Sequence, residues 1–127
     1  MAYLLDTHTI LWFLSGDNQL SNRAIEIIEN DSNDCMVSIA SLWEASIKVS
    51  LNKLNLKVKP SDLEYYLKEY NIEILPITLK HLSILENLPF HHKDPFDRLL
   101  LSQSIANNLT IISRDAQFKS YPVTVIW

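Results

Sequence analysis

The sequence predicts an α/β fold: a central parallel sheet of about five strands, flanked by helices. Three observations lead to it. Short apolar runs that read as strands alternate with longer stretches of helical periodicity, the pattern of a parallel sheet covered on both faces. The 127 residues are 47% hydrophobic. That suffices for one domain, residues 1–127, burying roughly two-thirds of its unfolded surface. No apolar stretch approaches the roughly 20 residues that a membrane helix needs.

The elements follow in order. Tyr3 to Leu5 reads as a buried strand. Thr9 to Leu14 reads as a short helix, stopped by Ser15-Gly16. Ser21 is a good N-cap for the next helix, with Leu20 and Ile25 at the spacing of a hydrophobic staple. Cys35-Met36-Val37 is a second strand, and Ser38 caps a helix to about Leu51. Ser61 and Glu64 form a capping-box pattern for a helix through Tyr70. Ile72 to Leu75 is a third strand, ended by Pro76. Thr78 to Asn87 is helical. Asp94-Pro95 opens another helix, with proline at its first position, and Asn107-Asn108 ends it. Leu109 to Ile112 and Val123 to Ile126 complete the strands. The chain has one glycine, so asparagine is expected to take left-handed geometry at Asn52 and Asn108.

Composition narrows the setting. The N-terminus lacks a basic region and Asp6 interrupts its apolar run, unlike a signal peptide. A lone cysteine, Cys35, excludes an internal disulfide and suits a reducing compartment. The expected location is the cytoplasm. The net charge of −4 argues weakly against nucleic-acid binding, but local distribution matters more. Between Ala45 and Ser61 there is no acid, while Lys48, Lys53, Lys57 and Lys59 all fall there. This stretch is either a solvated lysine-rich loop or a phosphate-binding edge.

Four acids stand out. Asp6 closes the first strand, and Asp115 follows the fourth by three residues. Ligands of open parallel sheets bind outside the carboxyl ends of strands, so topology brings these two into one neighbourhood. Asp97 sits on a helix whose apolar residues cover nearly its whole circumference, between Leu100 and Leu101 on the wheel. A first-turn acid complementing the helix dipole is the plainer alternative. Glu44 lies beside the stripe Ile39, Leu42, Trp43, Ile47 and Ser50, and could instead pair with Lys48 at i,i+4. Asp94 is an N-cap candidate that could also serve as an accessory metal group. One unpartnered buried carboxylate costs several kcal/mol, so acids in these places point to a cation. An all-carboxylate set selects hard cations, Mg²⁺ or Mn²⁺, and phosphodiester hydrolysis is the matching chemistry. His91 and His92 beside Asp94 lack a cysteine cluster or an H-E-x-x-H pattern, so they read as ordinary loop histidines. Trp12, Trp43 and Trp127 read as core or interface anchors.

These residues resemble a known family. YLLDTHTILWFL, SIASLWEASIKVSLNKL and HHKDPFDRLLLSQSIANNLTIISRDAQF are similar to the three blocks of PIN-domain ribonucleases. The likeness is closest to the VapC-like toxins of bacterial type II toxin–antitoxin systems, and it spans essentially the whole chain. It implies a PIN-like three-layer fold and a Mg²⁺-dependent endoribonuclease whose catalytic, metal-holding acids are Asp6, Glu44, Asp97 and Asp115. It further implies a homodimer, an RNA substrate and a cognate antitoxin. One acid would orient or deprotonate the attacking water, leaving a 5′-phosphate and a 3′-hydroxyl. Arg98 and the lysine edge, Lys48 and Lys53 included, become candidates for RNA phosphates, as does Ser113, where the family usually has a small hydroxyl residue. Asn52 and Asn108 stand where relatives often have glycine; these departures touch turns, not acids.

Two alternatives differ in class. A HAD-like phosphohydrolase needs D-x-D-x-T/V after its first strand, but His8 replaces the second aspartate. A non-catalytic module on a PIN scaffold would not need the intact set of four acids.

Overall fold

The structure, a computed structural model, describes residues 1–56, 58 and 60–127. Lys57 and Lys59 of the basic stretch lie outside the described residues. The strands are β1 (Ala2–Leu5), β2 (Asp34–Ser38), β3 (Ile72–Leu75), β4 (Thr110–Ile112) and β5 (Val125–Ile126). They form one sheet in the order β3-β2-β1-β4-β5, and every pairing is parallel. The helices are α1 (Thr7–Ser15), α2 (Asn22–Glu29), α3 (Ile39–Ser50), α4 (Leu63–Glu69), α5 (Leu79–Glu86) and α6 (Pro95–Asn107).

Alternation along the strands divides the core between two faces. Tyr3, Leu5, Cys35, Val37 and Ile112 pack with Ile10 of α1, Ala24 and Ile28 of α2, and Leu67 of α4. Leu4 points the other way, with Leu75 and Leu100, while Ile111 packs with Leu101, Phe118 and Tyr121. Helix α6 thus serves the second face, and every residue from Arg98 to Ser104 is buried. This three-layer arrangement is the expected α/β architecture.

Local chemistry explains where expectation and structure part. Helix α1 begins at Thr7 rather than Thr9, because the Asp6 carboxylate accepts the Thr9 N–H and fixes an earlier start. The Ser61–Glu64 capping box does not form: Ser61 lies in a 3₁₀ turn, Pro60–Asp62, and Asp62 holds the N-cap position of α4 without a side-chain cap bond. A capping box forms instead at α5, between Thr78 and His81. Strand β5 is confined to Val125–Ile126. Asn52 and Asn108 adopt left-handed geometry as expected, with φ of 56° and 53°, and Asn71 joins them at 56°. No helix among the described residues is long and apolar enough to cross a membrane.

The chain runs outward from β1 to β3, then returns to place β4 on the other side of β1. The switch point is therefore between β1 and β4, the crevice where such sheets bind ligands. Asp6 follows β1 there, and Ser113 follows β4.

Candidate metal centre and active site

Asp6 is held at this crevice from both sides. It is only 5% exposed. Oδ1 accepts the Thr9 N–H at 2.9 Å and the Thr9 hydroxyl at 2.6 Å, and Oδ2 accepts the Ser113 hydroxyl. Ser113 Oγ in turn accepts the Asp115 N–H at 3.0 Å. One hydroxyl thereby links the acid after β1 to the acid beyond β4.

Glu44 is 8% exposed. Its Oε1 accepts the Thr7 hydroxyl at 2.8 Å, and Lys48 Nζ lies 3.1 Å from Oε2. The i,i+4 pair expected as the plain alternative is present, but on a buried acid. The apolar stripe misleads here. Trp43 is 59% exposed and Ile39 is also exposed, whereas Ala40, Ser41, Glu44 and Ala45 are buried. Small residues let α3 approach closely, so its inward face is not its most apolar one.

Asp97 lies in the first turn of α6, where its backbone N–H donates to Asp94 Oδ1 at 3.0 Å. Asp94 is thus the N-cap, as expected. Burial raises the Asp97 carboxyl from 3.8 to about 7, helped by the charges of Asp94, Asp6 and Glu44 and opposed by His92. Hydrogen bonds place the acids together although they come from different elements: Thr7, next to Asp6, holds Glu44, and Asp6 reaches Asp115 through Ser113.

His92 completes the group. Its Nδ1 accepts the Asp94 N–H at 3.2 Å, so the neutral ring carries its proton on Nε2. Nε2 lies 2.9 Å from Asp115 Oδ2 and 3.2 Å from Asp97 Oδ2. The His92 backbone N–H donates to Tyr121 Oη, and its ring packs at 5.6 Å from that of Phe118. The expectation of an ordinary loop histidine is corrected: buried in the fold, His92 joins two of the acids. Its sequence signal was weak, because the contact to Asp115 spans 23 residues.

The other candidates separate. Arg98 is a correction. It is 6% exposed, and its guanidinium donates to the carbonyls of Leu88, Pro89 and His92. It ties down the loop before α6 and stacks over Phe90, which leaves it no open face toward a phosphate. Lys48 is committed to Glu44. Lys53 is exposed just past α3, and among the described residues no ion pair joins it to an acid. Ser113 is a buried bridge between Asp6 and Asp115.

A cleft of about 240 Å³ opens above the acids, lined by Asp6, His8, Trp12, Arg114 and Asp115. A larger hollow of about 500 Å³ runs along α4 and β3, but it gathers no comparable set of donors. The donor set suits a hard divalent ion. Carboxylate oxygens of Asp97 and Asp115 lie within 4.8 Å of each other and of His92 Nε2, which donates to them and orients them rather than binding the ion itself, and Asp6 joins through Ser113. Crowded carboxylates, one carrying a raised pKa, are stabilised when a cation shares the site.

Comparison with known proteins gives the family and supports the fold. The PIN domain family profile matches residues 3–123. No curated protein sequence matches the chain significantly. Among solved structures, the chain resembles VapBC2 from Rickettsia felis bound to a promoter DNA fragment, with a TM-score of 0.74 and 21% identity over 99% of this chain and 98% of that one. A toxin–antitoxin complex from Klebsiella pneumoniae aligns with a TM-score of 0.67 and 18% identity, covering 98% and 96%. FitAcB from Neisseria gonorrhoeae aligns with a TM-score of 0.67 and 20% identity, covering 100% and 97%. With the profile spanning nearly every element of the sheet and all four acids, the chain belongs to the PIN domain family.

Proposed function

We propose that this chain is a Mg²⁺- or Mn²⁺-dependent endoribonuclease that acts in the cytoplasm as the toxin of a toxin–antitoxin pair. One observation supports the reading: hydrogen bonds run from Asp6 through Ser113 to Asp115, His92 spans Asp115 and Asp97, and Thr7 beside Asp6 holds Glu44, at the switch point of a PIN sheet. A bound divalent ion lowers the pKa of water and offsets charge on phosphoryl oxygens. The protein supplies the frame. Thr9 and Ser113 hold the Asp6 carboxylate, Thr7 holds Glu44, and His92 spans Asp97 and Asp115. In the reaction, the oxygen of water forms a new bond to phosphorus and the P–O3′ bond breaks. One of the acids takes a proton from the attacking water and solvent water protonates the departing O3′, leaving a 5′-phosphate and a 3′-hydroxyl.

The solved structures it resembles include toxin–antitoxin complexes. A cleft lined by Asp6 and Asp115, with Asp97 joined to Asp115 by His92, suits an inhibitor that presents arginine, which pairs bidentately with carboxylate. Exposed aromatics, Trp43 and Phe90 among them, suit a homodimer. The test is cleavage of a generic RNA by the purified chain. Cleavage should require Mg²⁺ or Mn²⁺ and disappear with a chelator. Equal cleavage by Asp6→Asn, or cleavage in excess chelator, would overturn the reading. A copurified antitoxin complex that still cleaves at full rate would overturn the partner.

A further inference from the structure

Three cations form a surface that the four-acid centre does not explain. Arg114 lines the acid cleft together with Asp6 and Asp115. It also lines a neighbouring cleft of about 330 Å³ that carries Arg23 and Lys119. Arg23 comes from α2, and Lys119 from the 3₁₀ turn Ala116–Ser120, so the fold gathers them from distant parts of the chain. All three are exposed, and none is in an ion pair among the described residues. Asp115 also lines this second cleft, so the cleft carries three cations against one carboxylate, a local excess of positive charge on a protein of net charge −4.

Arg114 is also placed. Its guanidinium lies 4.6 Å from the centroid of the Trp12 ring, and Nη2 donates to Gln19 Oε1 at 3.4 Å. The other neighbours of Trp12 are the His8 ring at 5.3 Å and the Trp127 ring, edge-on at 5.9 Å. A guanidinium steadied over an aromatic ring keeps its N–H fork for a phosphate at less entropic cost than a free side chain.

We propose that Arg114, Arg23 and Lys119 form a phosphate-binding path that carries the backbone of single-stranded RNA away from the acids. The path rests on the nuclease reading above and names where the strand runs. It takes the place of Arg98 and Lys48, which are committed to carbonyls and to Glu44, as a source of phosphate contacts. Arg114 borders both clefts, so it would hold the phosphate nearest the reacting one. Arg23 and Lys119 would hold phosphates farther along. Charge contacts of this kind read backbone rather than base, so the path supplies affinity and direction without sequence choice.

The test separates the path from the acids. Arg23→Gln/Lys119→Gln removes two cations that do not line the acid cleft. Lys68→Gln/Lys80→Gln removes the same charge elsewhere. Binding of a labelled single-stranded RNA is followed by anisotropy against salt, with Asp97→Asn added in every arm to stop cleavage. The path predicts that Arg23→Gln/Lys119→Gln makes the log–log salt slope shallower by about 1.4, from about 0.7 per lost phosphate contact on a single strand. The control pair should leave the slope unchanged. In cleavage-competent chains, the path variant should raise KM for long RNA by more than it raises KM for a trinucleotide, while Lys68→Gln/Lys80→Gln should leave both unchanged. Failure of the unsubstituted chain to cleave any RNA overturns the nuclease reading, and the path with it. Normal cleavage with an unchanged salt slope overturns the path alone. The same holds if the path variant loses only antitoxin binding, which would assign these cations to a protein partner.

Discussion

The protein buries two histidines, His81 and His92, and they use the same hydrogen-bonding scheme in different surroundings. In each, Nδ1 accepts a backbone N–H: Thr78 at 3.0 Å for His81, Asp94 at 3.2 Å for His92. In each, Nε2 is left to donate. His81 donates to the neutral amide oxygen of Asn107 at 2.8 Å, and so pins the start of α5 to the end of α6. His92 faces two carboxylates at the switch point. The contrast shows that burial and tautomer do not distinguish a structural histidine from one in a reactive centre. The charge of its partners does.

The largest expected effect removes charge beside His92. Asp97→Asn changes little volume and should lower RNA cleavage by about 10²–10³-fold, the scale for loss of a key electrostatic group. The purified variant should remain folded, as judged by melting. Mild loss of cleavage would take Asp97 out of the catalytic set.

Exchanging the histidines sharpens the comparison. His92→Phe keeps a ring against Phe118 but removes the donor between Asp97 and Asp115. It should lower metal affinity or cleavage by about 10–100-fold, as loss of a group that orients metal ligands does. His81→Phe strands the Thr78 N–H and the Asn107 amide. It should cost about 1–3 kcal/mol of stability and leave metal affinity unchanged. Denaturant unfolding and metal titration of both variants check this; equal effects on metal would erase the distinction.

A smaller effect concerns pH. Burial, with the charges of Asp94, Asp6 and Glu44, raises Asp97 from 3.8 to about 7. A carboxyl raised in the folded state binds its proton more tightly there than when unfolded. Its stabilising contribution is therefore full below pH 3.8 and is lost as pH rises to about 7. Asp97→Asn does not titrate. In chelator, the Tm of this variant relative to the unsubstituted chain should climb across that window and then level. A flat difference would contradict the crowding of charge at Asp97.

The smallest effect belongs to Asp94. Asparagine is also a good N-cap, so Asp94→Asn should change stability by well under about 1 kcal/mol and lower cleavage far less than Asp97→Asn. Melting curves and the same cleavage assay compare the two.

Much of this was legible in the chain. Asp6 and Asp115 are marked by the strands before them, and Asp97 by an apolar wheel on which the helix dipole was the one plain structural reason for a carboxylate. Two kinds of information were not legible. Inward faces built from small residues carry little hydropathy signal, so Glu44 of α3 seemed to lie beside the buried stripe when it is Trp43 that faces out. Contacts closed by tertiary structure carry no local spacing. His92 reaches Asp115 across 23 residues, and Arg98 turns inward to hold carbonyls that only the folded loop presents. The Ser61–Glu64 capping pattern failed for a related reason: a 3₁₀ turn took the place of the first helical turn. Motif spacing states what a segment can do alone, and the surrounding chain decides whether it does so.

The most direct measurement of the central claim is a melting titration with Mg²⁺ and with Mn²⁺, on the unsubstituted chain and on Asp6→Asn/Asp97→Asn. A cation that binds only the folded site raises Tm by mass action. The unsubstituted chain and His81→Phe should both gain stability as metal reaches millimolar levels, and the double variant should lose most of that gain. Equal metal stabilisation of the double variant would contradict a cation site built on these acids.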